Sequence, residues 1–62
     1  MTKVEKENWL INIENSAVAV VEKYGKDVAL SVFQRYEASS VYNLSHCYYN
    51  EVFTDLEQIT ND

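Results

Sequence analysis

Residues 3–24 have the sequence KVEKENWLINIENSAVAVVEKY, and this long segment without glycine or proline is the strongest indication of the fold. Its apolar residues recur at intervals of three and four, the repeat of one face of an α-helix. They are Leu10, Ile13, Ala17, Val20, Val21 and Tyr24. Thr2 and Glu5 have the spacing of a capping box, so we predict that the helix begins near Lys3. At its other end, Gly25 is predicted to form a left-handed cap.

The middle of this helix contains two poor helix formers, Asn15 and Ser16. An unbroken helix would have about 22 residues and a length of about 33 Å. Alternatively, Asn15 or Ser16 caps a new helix and divides the segment in two. The sequence therefore predicts a small bundle of three helices, or of four if the first one is split.

The rest of the chain continues the helical pattern. Residues 26–37 form a predicted second helix, with Asp27 placed favourably at its N-terminus. Residues 38–44 contain serine and asparagine side chains that compete for backbone hydrogen bonds, so we interpret them as a connector with at most a short helical turn. Ser45 is predicted to cap a third helix over about residues 46–60, with Val52, Phe53 and Leu56 buried. We therefore predict one all-α domain over residues 1–62.

Composition limits what else the chain contains. It has 62 residues, no proline, one glycine and one cysteine. Cys47 therefore has no partner for an internal disulfide, which favours a reducing compartment. We expect no secretory signal, because acidic residues follow the N-terminus in place of an apolar core, and no membrane span, because no apolar run approaches about 18 residues. The expected location is the cytoplasm.

The charges are distributed unevenly. The net charge is −5, and all five cations lie in residues 1–37, whereas residues 38–62 contain four acids and no lysine or arginine. This disfavours direct nucleic-acid binding, which normally requires a basic patch. It favours a basic protein surface as partner, for example on a nucleic-acid-processing enzyme. The alternative is that the acidity only confers solubility.

The first helix has more apolar residues than one buried stripe requires. Trp9, Ile11 and Val18 lie outside the apolar stripe described above. Two shorter helices cannot cover a helix of about 33 Å on all sides. These three residues predict self-association into a homodimer. The alternative is that a kink lets the same residues close a compact monomeric bundle.

The side chains that could perform chemistry do not form a recognisable catalytic or metal site. His46 and Cys47 are adjacent on a predicted helix and point in different directions, so we interpret the cysteine as a packing residue and the histidine as a surface residue. Glu51 and Asp55 share a helix face, but two carboxylates alone make a weak metal site. We expect no enzyme activity, cofactor or metal.

Tyrosines cluster in the segment that lacks cations. We expect Tyr48 to face inward with Val52, and Tyr42 and Tyr49 to be exposed. Exposed tyrosines anchor protein interfaces and acids steer basic partners. Tyr42, Tyr49, Glu51 and Asp55 are therefore the predicted partner-binding residues.

Residues 24–28 (YGKDV), Leu44-Ser45 and residues 48–53 (YYNEVF) resemble short helical proteins and C-terminal modules from mobile elements of Gram-positive bacteria. Small acidic proteins of such elements include anti-CRISPR and DNA-mimicking anti-restriction inhibitors. The resemblance implies a stoichiometric inhibitor of a bacterial defence nuclease. The alternative function is a non-catalytic, dimeric helical module of a larger complex.

Overall fold

The computed structural model describes residues 2–61, which form three α-helices and two short 3-10 turns. The α-helices are α1 (Lys3–Tyr24), α2 (Lys26–Gln34) and α3 (Tyr49–Asn61), and the 3-10 turns span Val41–Asn43 and His46–Tyr48. No strand occurs in this part of the chain. The predicted all-α, three-helix fold is confirmed.

Helix α1 is continuous, and it extends along the whole molecule, whose dimensions are 32 × 20 × 14 Å. The Thr2 hydroxyl accepts a hydrogen bond from the Glu5 amide at 3.2 Å, which confirms the predicted cap. The Asn15–Ser16 pair does not divide the helix. Ser16 is buried, and its hydroxyl donates to Glu57 of α3 at 2.9 Å, so this polar residue is satisfied by tertiary packing instead of capping a new helix.

Gly25 connects α1 to α2 without an intervening loop. Its N–H donates to the Val21 carbonyl at 2.8 Å, and its φ of 96° is positive, as predicted. Its ψ of 158°, however, is extended, so the residue is not in the predicted left-handed helical conformation. This region of backbone space is accessible essentially only to glycine. The extended ψ lets α2 begin at the next residue.

Helix α2 ends at Gln34, three residues earlier than predicted. The Ala38 amide donates to the Phe33 carbonyl at 3.1 Å and the Glu37 amide donates to the Gln34 carbonyl at 3.1 Å. These two bonds are those of a Schellman motif, and Glu37 occupies its left-handed position with φ 60°. A glutamate thus takes the position that usually holds glycine.

The core lies where α1 crosses the other two helices. Five side chains in it are completely enclosed: Ile13, Val20, Val32, Val52 and Leu56. The predicted connector adds Ala38, Val41 and Leu44, all buried. It is therefore a structural part of the core, which its serine and asparagine content did not indicate.

Two parts of the predicted core pattern are wrong. Val21 and Tyr24 are exposed, because the other helices leave this face of α1 uncovered. Tyr49 is buried at 2% exposure, whereas Tyr48 is exposed, the reverse of the prediction. The reason is that Tyr49 is the first residue of α3 and lies seven residues before Leu56, so it shares the buried face of this helix, whereas Tyr48 belongs to the preceding 3-10 turn.

Candidate protein-binding groove

An open groove lies on the side of the molecule formed by α1, α2 and the first 3-10 turn. Its volume is about 380 Å³. We call it the α1–α2 groove. Its apolar lining comprises Ala17, Val18, Val21, Ala29, Leu30, Phe33 and Val41. Glu14 and Lys26 lie at its edge, so the groove is apolar within and charged at its margin.

The groove exists because α2 and the first 3-10 turn cover only part of the apolar surface of α1. Val18, Val21 and Leu30 remain exposed on its walls, while Phe33 at its base is buried. Exposed apolar side chains are common singly, but a contiguous set that lines a concavity is typical of interaction surfaces. The arrangement is suited to receive an apolar side chain from another molecule.

Tyr42 stands at the margin of the groove and is 71% exposed, the highest exposure among the large apolar side chains of residues 2–61. Its hydroxyl donates to Glu14 Oε2 at 3.0 Å. This hydrogen bond raises the pKa of Tyr42 above its ordinary value, and the negative charge of Glu14 adds to the effect. The contact holds the ring across the edge of the groove.

The backbone beneath Tyr42 is held in place on both sides. Its amide donates to the Ser40 hydroxyl at 3.2 Å, and the Asn43 side chain accepts the Ser39 and Ser40 amides at 3.0 and 3.1 Å. The flanking Val41 is buried in the core. Since its neighbours are anchored, Tyr42 projects outward from an ordered turn.

The acidic residues predicted for the partner site are grouped elsewhere, between α2 and α3. Tyr36 donates to Asp55 Oδ2 at 2.7 Å, and Arg35 lies 3.8 Å from the same oxygen. The hydrogen bond to Asp55 raises the pKa of Tyr36, and partial burial and the charges of Asp55 and Glu51 add to the effect, while Arg35 opposes it. Asp55 is only 26% exposed. Asp55 is thus engaged within the fold, whereas Glu51 is exposed.

The four predicted partner-binding residues therefore do not form one patch. Tyr42 borders the α1–α2 groove, and Glu51 and Asp55 surround Tyr36. Tyr49 is inaccessible as an anchor, because it is buried with its ring centroid 6.4 Å from that of Trp9.

The three residues predicted for self-association also separate. Trp9 is half-buried and makes an edge-on contact with Phe53 at 5.9 Å between ring centroids. Phe53 is half-buried too, so it is less enclosed than predicted. Ile11 and Val18 are exposed and lie roughly 160–180° around α1 from Trp9. One flat interface cannot include all three.

The structure places the two residues considered for nucleophilic chemistry at the surface. Cys47 is exposed, so its interpretation as a packing residue is wrong, and His46 is exposed as predicted. Among residues 2–61, no group of three or more potential metal ligands comes together. Asp62, one of the acids in the cation-free segment, lies outside the described residues.

No helix formed by residues 2–61 combines the length and apolar character needed to cross a bilayer. Comparison of the chain with protein-family models, with curated proteins and with solved structures found no significant match. The function is therefore inferred from the geometry and charge of the surface.

Most residues of the α1–α2 groove are not predicted from the sequence. The apolar repeat of α1 assigns Val21 to the buried stripe, and no pattern in the sequence distinguishes Leu30 or Glu14. The usable signal was the length of α1, because a helix longer than both of its neighbours must leave apolar residues uncovered near its ends.

Proposed function

We propose that this chain is a non-catalytic binding protein that acts stoichiometrically on a basic surface of a protein partner, with the α1–α2 groove as the main contact. The proposed setting is the cytoplasm of a bacterium, and the proposed partner is a nucleic-acid-processing enzyme such as a defence nuclease. Blocking its basic channel would make the chain an anti-CRISPR-like inhibitor.

The observation that carries the proposal is the combination of an open apolar groove with an exposed tyrosine and a carboxylate at its edge. An apolar side chain of the partner would enter between Val18 and Leu30. Tyr42 would supply a large contact area at low entropic cost, as tyrosine does in many interface hot spots. Glu14 would pair with a lysine or arginine beside the inserted side chain.

Charge supports a basic partner over a neutral one. The net charge is −5. Two of the five cations are engaged internally, since Arg35 pairs with Asp55 and Lys23 donates to the Thr60 carbonyl at the end of α3. Glu51 is exposed and would contribute by steering a basic partner at low ionic strength.

The test requires the partner in pure form, recovered by affinity capture from the native host and then titrated with variants of this chain. We expect Tyr42→Ala to weaken binding by about 30-fold, the equivalent of about 2 kcal/mol for a hot-spot tyrosine. Leu30→Asp should weaken it further, because it places a charge in the apolar groove. Tyr48→Ala, which removes an exposed tyrosine on another face, is the matched control.

If the Tyr42 and Leu30 variants bind like the parent while remaining folded, the groove is not the contact surface. Inhibition of the partner by the parent at a one-to-one ratio would support the stoichiometric role. Turnover of any substrate by the pure chain would contradict the non-catalytic assignment.

The alternative function is a dimeric helical module of a larger complex. The observation that favours it is the exposure of Val4, Ile11 and Val18 along α1. In that case, the acidity would confer solubility only.

A further inference from the structure

The outward face of α1 presents apolar and acidic side chains in a regular order. Val4, Ile11 and Val18 are 66%, 57% and 48% exposed and are spaced by seven residues. Glu7 and Glu14 lie between them and are also exposed. We call these five residues the outer stripe. Val18 and Glu14 also belong to the α1–α2 groove, so the two surfaces are continuous.

The spacing of the outer stripe is that of a helix-pairing seam. Residues seven apart on a helix are displaced by only about 20°, and alternating steps of three and four residues keep a row on one side. The row from Val4 to Val18 is about 21 Å long. β-Branched residues occupy every seventh position, as they often do in two-stranded coiled coils. The shape of this surface therefore matches another helix.

The glutamates determine which helix would fit. In a parallel pair of identical chains, Glu7 would face Glu7 and Glu14 would face Glu14. In an antiparallel pair, each glutamate would face an apolar residue of the other copy. Both arrangements bring carboxylates into a contact without a cation, which is unfavourable. A helix that places lysine or arginine opposite Glu7 and Glu14 avoids this cost and gains charge-assisted hydrogen bonds.

We infer that the outer stripe binds an amphipathic helix of the partner protein, one with apolar residues every seven positions and lysine or arginine facing Glu7 and Glu14. This inference rests on the proposed function, since it specifies the form in which the basic partner is recognised. The helix would lie along α1 and reach the α1–α2 groove at Val18.

The experiment uses two labelled synthetic peptides of about 21 residues, or three heptads, with the same leucine, lysine and alanine content. In one peptide, leucine and lysine follow the seven-residue repeat, and in the other their order is shuffled so that no face is apolar. Fluorescence anisotropy with the intact chain measures both affinities. We expect the heptad peptide to bind at least about 10-fold more tightly than the shuffled peptide.

Three variants locate the contact. Ile11→Asp and Glu14→Lys should each weaken binding of the heptad peptide by about 10-fold or more. Glu37→Lys makes the same charge change as Glu14→Lys outside α1, and it should keep the parent affinity within about threefold. All three positions are exposed, and circular dichroism checks that the variants remain folded.

Equal binding of both peptides would overturn the inference, because charge alone would then explain the attraction. No binding of either peptide, or parent-like binding by Ile11→Asp, would also overturn it. These outcomes are separable from failure of the proposed function, which is decided with the purified partner and the Tyr42 and Leu30 variants.

Discussion

Gly25 and Glu37 both have positive φ angles at the ends of helices, but only one of them is a glycine. We expect Gly25→Ala to destabilise the fold by about 1 to 3 kcal/mol, because its backbone conformation is strained for any other residue. A β-carbon there would touch nothing within 4 Å, so the loss would come from the backbone alone. Glu37→Gly should instead stabilise the fold by up to about 1 kcal/mol, because it relieves left-handed strain at the Schellman position.

Urea unfolding of the two variants measures both effects. We expect the changes in the free energy of unfolding of the two variants to have opposite signs. A loss of stability in Glu37→Gly would show that the Glu37 side chain stabilises the fold by more than its left-handed backbone conformation destabilises it.

The Tyr36–Asp55 hydrogen bond should make stability depend on pH in the alkaline range. The pKa of Tyr36 is raised in the folded state above its ordinary value of 10.0. Its stabilising contribution is therefore complete below about pH 10 and is lost as the pH rises through the higher folded-state value. Above that point, a phenolate beside the Asp55 carboxylate would repel it.

Accordingly, Tyr36→Phe should cost about 1 kcal/mol at neutral pH, and the difference from the parent should shrink or reverse at an alkaline pH above the raised folded-state pKa of Tyr36. Denaturant unfolding at the two pH values measures the difference. Tyr48→Phe is the control, since the Tyr48 ring packs on Tyr36 at 5.1 Å between centroids. A difference that is the same at both pH values would contradict this role for the hydroxyl.

At the scale of elements, α3 is held against α1 by residues of unequal burial. Leu56 is completely enclosed, whereas Phe53 is half-buried against Trp9. We expect Leu56→Ala to cost about 2 to 5 kcal/mol, a large part of the roughly 5 kcal/mol total stability of a small domain. Phe53→Ala should cost less, because part of its ring already contacts water.

Thermal unfolding followed by circular dichroism compares the two variants. Phe53→Ala should also shift the fluorescence of Trp9 to longer wavelength, because it uncovers the indole ring. If Phe53→Ala proves the more damaging of the two, the contact between Trp9 and Phe53 is more important for α3 than the central core.

At the scale of the whole molecule, the outer stripe and the charge together govern association. Self-association stays a prediction of the sequence, but Trp9 packs within the fold and so leaves a narrower apolar surface for a second copy. We therefore expect any dimer to be weak, so that the parent sediments mainly as a monomer of 7.2 kDa at micromolar concentration. Replacing Glu7 and Glu14 together with glutamine should increase dimer formation, because the repulsive carboxylates are removed.

A parent dimer that Ile11→Asp dissociates would support the alternative function of a dimeric module. A double variant that stays monomeric would show that the stripe is too small to pair with a second copy even without its charge. Sedimentation velocity at several concentrations distinguishes these outcomes.

The sequence by itself determined the three helices, the start of α1 at Lys3 and the enclosed positions of Ile13, Val52 and Leu56. These features depend on local interactions, namely helix propensity, the Thr2 cap and the repeat of apolar residues along one helix. Such interactions involve residues within a few positions of each other, so they can be recognised in the chain without knowing how its parts meet.

Only the tertiary structure decided which tyrosine is exposed, how Asp55 is used and where the groove lies. Tyr49 packs against Trp9 of α1, and Asp55 is engaged by Tyr36 from the turn that follows α2. The α1–α2 groove lies between segments that are up to 28 residues apart, as the hydrogen bond from Tyr42 to Glu14 illustrates. Such features follow from the packing of whole elements against one another, which no local pattern specifies.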